Sequence, residues 1–139
     1  MDRVVLDTNV VVAALLSNRG ASHRLLGRVS EEGPFQVCLS VPLVLEYESV
    51  LRRKLGKDHA SIDPVLDYLC KVGDHQEIFF LWRPHLQDPG DEMVLEVAVG
   101  GQASVIVTHN TRDFRDVEDV FGIRVLTPGE YLLQLEGME

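Results

Sequence analysis

The chain has 139 residues, of which 45% are hydrophobic and 25% charged, and a formal net charge of −9. That profile suits one globular domain over residues 1–139 with a real core, and no apolar run approaches the roughly 20 residues of a membrane span. The acidic balance argues against a simple basic nucleic-acid clamp, but a nuclease that bridges its acids to phosphate through cations stays open, as does a local basic patch at Arg52, Arg53 and Lys54.

In chain order, Arg3–Leu6 reads as a short buried strand. Asn9–Leu16 continues as a helix in spite of three consecutive valines. His23–Val29 is helical, closed by Glu32-Gly33-Pro34, and Gln36–Leu39 is a second strand. Pro42 suits the first turn of a helix running to about Leu55, with Ser40 as the candidate cap. Asp63–Val72 is another helix, and Ile78–Trp82 is strand-like. "DPGD", Asp88 to Asp91, is turn chemistry before a helix over Glu92–Val99 that Gly100-Gly101 ends. Ser104–Val107 and Ile123–Leu126 are buried strands. Thr127-Pro128-Gly129-Glu130 is a capping box that starts a C-terminal helix. Short apolar strands alternating with helices predict an α/β fold with a parallel sheet covered on both faces.

In such sheets ligands bind at the carboxyl ends of the strands, and the acids fall there. Asp7 follows the first strand. Thr108, His109 and Asn110 follow "SVIV", with Asp113 three residues on. Asp91 opens the helix after "DPG", and Glu46 lies one turn into the helix after the second strand. Each has an ordinary structural reading as well. Asp7 or Asp91 suits a helix N-terminus, Glu46 a solvated helix face, and Asp113 a turn. Their convergence on one edge shifts the balance toward function. Carboxylates crowded together repel unless protonated or bridged by a cation, and an oxygen-rich site of this kind suits Mg²⁺ or Mn²⁺.

Cys38 and Cys70 sit among apolar neighbours and read as core thiols, not a disulfide framework. The opening apolar run is broken by Asp7 and Asn9, so a secretory leader is not expected. Both points favour a cytoplasmic protein. The five histidines show no zinc spacing; His109 alone adjoins the acids, and the other four read as surface residues.

The blocks "VVLDTNVVVAALL", "LSVPLVLEYESVL", "DPGDEMVLEVAVGGQASVIVTHNTRDF" and "IRVLTPGEYL" together resemble a PIN domain, in the branch of toxin–antitoxin toxins related to VapC-type ribonucleases. The resemblance covers nearly the whole chain. It implies a three-layer α/β/α fold and a Mg²⁺- or Mn²⁺-dependent endoribonuclease that hydrolyses RNA phosphodiesters and leaves 5′ phosphates. It also implies a cognate antitoxin as partner and a homodimer. Carried over by motif, Asp7 matches the acid of the "DTN" block, Glu46 the acid of the helix after the second strand, and Asp91 the acid opening "DExxLExA". Many relatives carry "TGD" where this chain has "THN"; others carry "TxNxxDF", which puts the fourth acid at Asp113 and leaves that site residue open between Asn110 and Asp113. The resemblance thus implies Asp7, Asp91 and Asp113 as metal ligands and Glu46 as a further catalytic acid. Thr8, Asn9, Thr108 and Asn110 match supporting positions.

Other readings fit less well. A phosphate-accepting receiver domain needs an acidic pair near the first strand and a Lys where His109 stands. A haloacid-dehalogenase phosphatase needs a second Asp where Asn9 stands. A non-catalytic PIN-like module binding RNA or protein is the remaining alternative, kept open by Asn110.

Overall fold

A computed structural model of the chain describes residues 1–77 and 88–137. The described strands are β1 (Asp2–Leu6), β2 (Phe35–Leu39), β3 (Asp74–His75), β4 (Val105–Val107) and β5 (Arg124–Leu126). They form one sheet in the order β3-β2-β1-β4-β5, and every pairing is parallel. The described helices are α1 (Thr8–Leu16), α2 (Ala21–Leu26), α3 (Val41–Leu55), α4 (Ile62–Val72), α5 (Pro89–Gly100), α6 (Val117–Phe121) and α7 (Pro128–Gly137), with a 3₁₀ turn at Thr111–Phe114.

Val4–Leu6 and Val105–Val107 are buried at every position. Successive side chains of a strand point to opposite faces, so an unbroken buried run requires cover on both sides of the sheet. Helices supply it: α5 packs over β1, β2 and β4, while α4 packs on β2. This parallel sheet flanked by helices is the α/β fold that the alternating sequence pattern predicts.

Local chemistry explains the element boundaries. α1 forms from "TNVVVAALL" although β-branched residues disfavour helix. Asp7 caps it, and Val10, Val11, Val12 and Ala14 are all buried, so tertiary burial overrides propensity. The Ser40 hydroxyl accepts from the Leu43 amide and starts α3 as expected. The capping box of α7 closes in both directions: the Thr127 amide donates to Glu130 at 2.9 Å and the Glu130 amide to Thr127 at 3.1 Å.

Several details differ from the sequence reading: α2 spans Ala21–Leu26 and not His23–Val29. α5 starts at Pro89 and not at Glu92, because Asp88 is its cap and accepts from the Gly90 and Asp91 amides. β3 is a polar two-residue edge strand at Asp74–His75, and residues 111–121 hold the 3₁₀ turn and α6, neither of which was expected. The strand expected at Ile78–Trp82, and His85, lie outside the described residues. Among those described, no helix is long and apolar enough to cross a membrane.

Candidate active site

β1 and β4 pair in parallel with Leu6 opposite Val107, so the residues that leave the sheet next, Asp7 and Thr108, emerge side by side. Their backbones continue the tie, with the Asp7 amide donating to Val107 O at 2.9 Å. One oxygen of the Asp7 carboxylate accepts from the Thr8 amide at 2.8 Å, which makes Asp7 the cap of α1. The other accepts from the Thr108 hydroxyl at 2.7 Å. Thr108 Oγ1 in turn accepts from the Asn110 amide at 3.0 Å and lies 3.5 Å from Asn9 Nδ2. Asn9 Oδ1 accepts from the His109 amide at 3.2 Å. Asp7 therefore caps a helix and is also held, each oxygen accepting one hydrogen bond and keeping a further lone pair, at the carboxyl edge of the sheet.

α3 forms one wall of this edge. Tyr47 is fully buried, and its hydroxyl donates to the carbonyl of Leu6, the residue just before Asp7. That bond fixes the adjacent Glu46 relative to Asp7. α5 forms the facing wall. A Cβ at Gly90 would stand only 3.6 Å from Glu46 Oε1, so the Glu46 carboxylate reaches the first turn of α5. The N-terminal dipole of α5 favours negative charge there.

The result is an open cleft of about 490 Å³ whose lining includes Asp7, Glu46, Asp88, Asp91 and Asp113. Thr8, Asn9 and Asn110 also line it, while Thr108 is fully buried beneath. Both candidates for the fourth site residue, Asn110 and Asp113, face the same space. Asp88 was not singled out in the sequence, where "DPGD" reads as a turn. The signal was the spacing: a capping Asp followed three residues later by another places both on one helix face. His109 is not in the cleft. Its Nε2 lies 2.7 Å from the buried Ser22 hydroxyl, and it lines an adjoining recess that shares Asn110 and Asp113 with the cleft.

Crowding shows in the ionisation of the acids. Burial raises the pKa of Asp7; hydrogen bonds from Thr108 and Thr8 oppose that rise, and the charges of Asp113 and Asp88 add to it. Asp91 is pushed up to about 7, first by burial and then by Asp7, Asp88, Asp113 and Glu92. A site that holds like charges against their own repulsion favours a cation between them. The donors are hard carboxylate and amide oxygens, as Mg²⁺ and Mn²⁺ prefer. Among the described residues, no three His, Cys, Asp or Glu side chains are placed to hold one ion by themselves. Mg²⁺ keeps several waters and binds proteins through one or two carboxylates.

The family model described as PIN domain matches residues 3–112. No curated protein matches the sequence. Among solved structures, VapBC-1 from nontypeable Haemophilus influenzae superposes with a TM-score of 0.59 at 12% identity, covering 91% of this chain and 98% of that one. VapBC2 from Rickettsia felis, bound to a DNA fragment from their promoter, gives 0.58 at 13% identity, covering 88% and 96%. At such identities the likeness is one of fold.

Proposed function

Because the chain belongs to the PIN-domain family, we propose that it is a Mg²⁺- or Mn²⁺-dependent endoribonuclease, the toxin of a toxin–antitoxin pair, working in the cytoplasm as a homodimer. The observation that carries this reading is the acid-lined cleft, where Asp7, Glu46, Asp88, Asp91 and Asp113 share one space at the carboxyl edge of the sheet. The antitoxin partner rests on the fold shared with the two VapBC structures.

In this proposal Asp7, Asp91 and Asp113 surround the metal, one or two of them binding it directly and the rest through its waters. A divalent ion there would polarise a phosphodiester oxygen and lower the pKa of a bound water. The protein's own groups do the rest. Thr108 and the Thr8 amide orient Asp7 and favour its charged form. Glu46, on the opposite wall, orients the attacking water and takes its proton. Asn9 and Asn110 brace the loop after β4. Because water is the nucleophile, the 2′-hydroxyl is not consumed, and the product carries a 5′ phosphate. RNA preference then comes from shape and single-strandedness.

The test is incubation with single-stranded and structured RNAs in Mg²⁺, Mn²⁺ or EDTA. Cleavage should require metal, stop in EDTA, leave 5′ phosphates and vanish in Asp7→Asn. Undiminished cleavage in EDTA, or 2′,3′-cyclic phosphate ends, would overturn the mechanism. RNA binding without cleavage would favour a non-catalytic PIN-like module.

A further inference from the structure

The cleft is acidic only at its inner end. α3 presents Glu46, Val50, Arg53 and Lys54 to it, and α1 presents Asn9, Val12, Ala13 and Leu16. Both sets follow helical spacing along one face. The inner end thus carries acids, the middle is apolar, and the outer end is basic. Glu46 and Lys54 are eight residues apart, so the acidic and basic ends are separated by about 12 Å along the helix.

Two features of this outer end bear on what it could bind. The first is charge. Arg3 pairs with Asp74, Arg52 with Glu48 and Asp63, and Arg124 with Asp2. Arg53 and Lys54 stand at the rim of a cleft lined by acids, yet among the described residues neither forms an ion pair. The second is apolar exposure. Leu16 is 62% exposed and lines the same cleft as the acids and the two cations.

We propose that the α1–α3 groove is the track for the nucleotide flanking the cleaved bond in a single-stranded RNA. The scissile phosphate lies at the acids. The neighbouring sugar and base lie against Val12, Val50 and Leu16. Arg53 and Lys54 take a flanking phosphate. Charge complementarity selects this occupant: a polyanion meets the acidic end only through a cation, and meets the basic end directly. A paired base would keep its faces inside the duplex, whereas an unstacked one can lie on an apolar wall. The inference rests on the ribonuclease reading above.

The test compares wild type with Arg53→Gln/Lys54→Gln and with a control of equal charge change, Lys57→Gln/Lys71→Gln, two exposed residues outside the cleft. One readout is binding of a short single-stranded oligoribonucleotide in EDTA over a salt series; the other is cleavage in Mg²⁺. For the rim variant, Kd and KM should rise about tenfold, as two surface charge contacts allow, with kcat nearly unchanged. The slope of log K against log salt should fall by about 0.7, the value for one single-strand phosphate contact. A dinucleotide, with its single phosphate, should be cleaved equally by both. An unchanged slope and KM, or an equal loss in the control, would overturn the track and leave the basic rim to a protein partner. A wild type that neither binds nor cleaves RNA would overturn the ribonuclease reading itself.

Discussion

Thr108 donates its hydroxyl to Asp7 across 2.7 Å, a contact between residues 101 apart in sequence that joins the ends of β1 and β4. Thr108→Val keeps the shape and deletes the donor. It also strips the Asn110 amide of its acceptor. The folded protein should lose about 1–3 kcal/mol, the range for a buried partner left unsatisfied. Because the lost bond favours ionised Asp7, the acid limb of the pH–rate profile should move to higher pH. Denaturant melts and a rate profile measure both effects, and an unmoved limb would show that Asp7 ionises independently of Thr108.

Stability without metal should fall as pH rises. Asp91 titrates near 7 in the folded chain against an ordinary value of 3.8. Between those values the folded state binds more protons than the unfolded one, so the slope of unfolding free energy with pH is negative. The stabilisation is full below about pH 4 and lost by about pH 7. Asp91→Asn removes the charge and should flatten this window. At pH 8 in EDTA the variant should be more stable than wild type on the order of 1 kcal/mol, after discounting for solvent in an open cleft. Mn²⁺ should stabilise wild type by mass action and the variant far less. Melting curves across pH, with EDTA and with Mn²⁺, decide this; superimposable curves for the two proteins would remove Asp91 from the metal site.

Asp113 and Asn110 both face the cleft, but only Asp113 brings charge to it. Asp113→Asn should lower kcat about 100-fold, the scale of one lost metal-site contact, and Asn110→Ala should cost less. Single-turnover cleavage rates rank them, and the reverse order would assign the fourth position to Asn110.

Asp88 combines two duties that substitution can separate. Asp88→Ala deletes the α5 cap and should cost about 1 kcal/mol, whereas Asn caps as well as Asp and should melt within a few tenths of wild type. Both remove a charge that raises Asp91, so both should shift the pH window of the metal-free protein downward. A window that moves for Ala but not for Asn would mean that Asp88 acts through the helix start alone.

The elements legible in sequence were those with chemistry at their ends. Ser40, the Thr127–Glu130 box and the Gly100-Gly101 pair that ends α5 mark boundaries that the structure keeps. β3 was not legible, because two polar residues on a sheet edge carry no hydrophobic period. The 3₁₀ turn and α6 are hidden by a charge-dense stretch in which only Phe114 and Val117 are buried and Phe121 packs against the core from its edge. For the site, strand-end placement brought Asp7, Glu46, Asp91 and Asp113 to one edge, and the structure puts all four on one cleft. Asp88 is not legible because a residue before Pro-Gly reads as turn chemistry, and at Asp7 capping and a site role do not exclude each other. There the cap is what aims the carboxylate.

That dual duty gives the protein a built-in spectroscopic gauge. The Thr8 amide points its proton at one Asp7 oxygen across 2.8 Å, so its NMR resonance should track the charge on that oxygen. Following the Thr8 cross-peak through a pH titration would report Asp7 ionisation in the resting protein, without substrate and without turnover. Adding Mg²⁺ at fixed pH would then reveal, from the same peak, whether the ion takes Asp7 as its ligand.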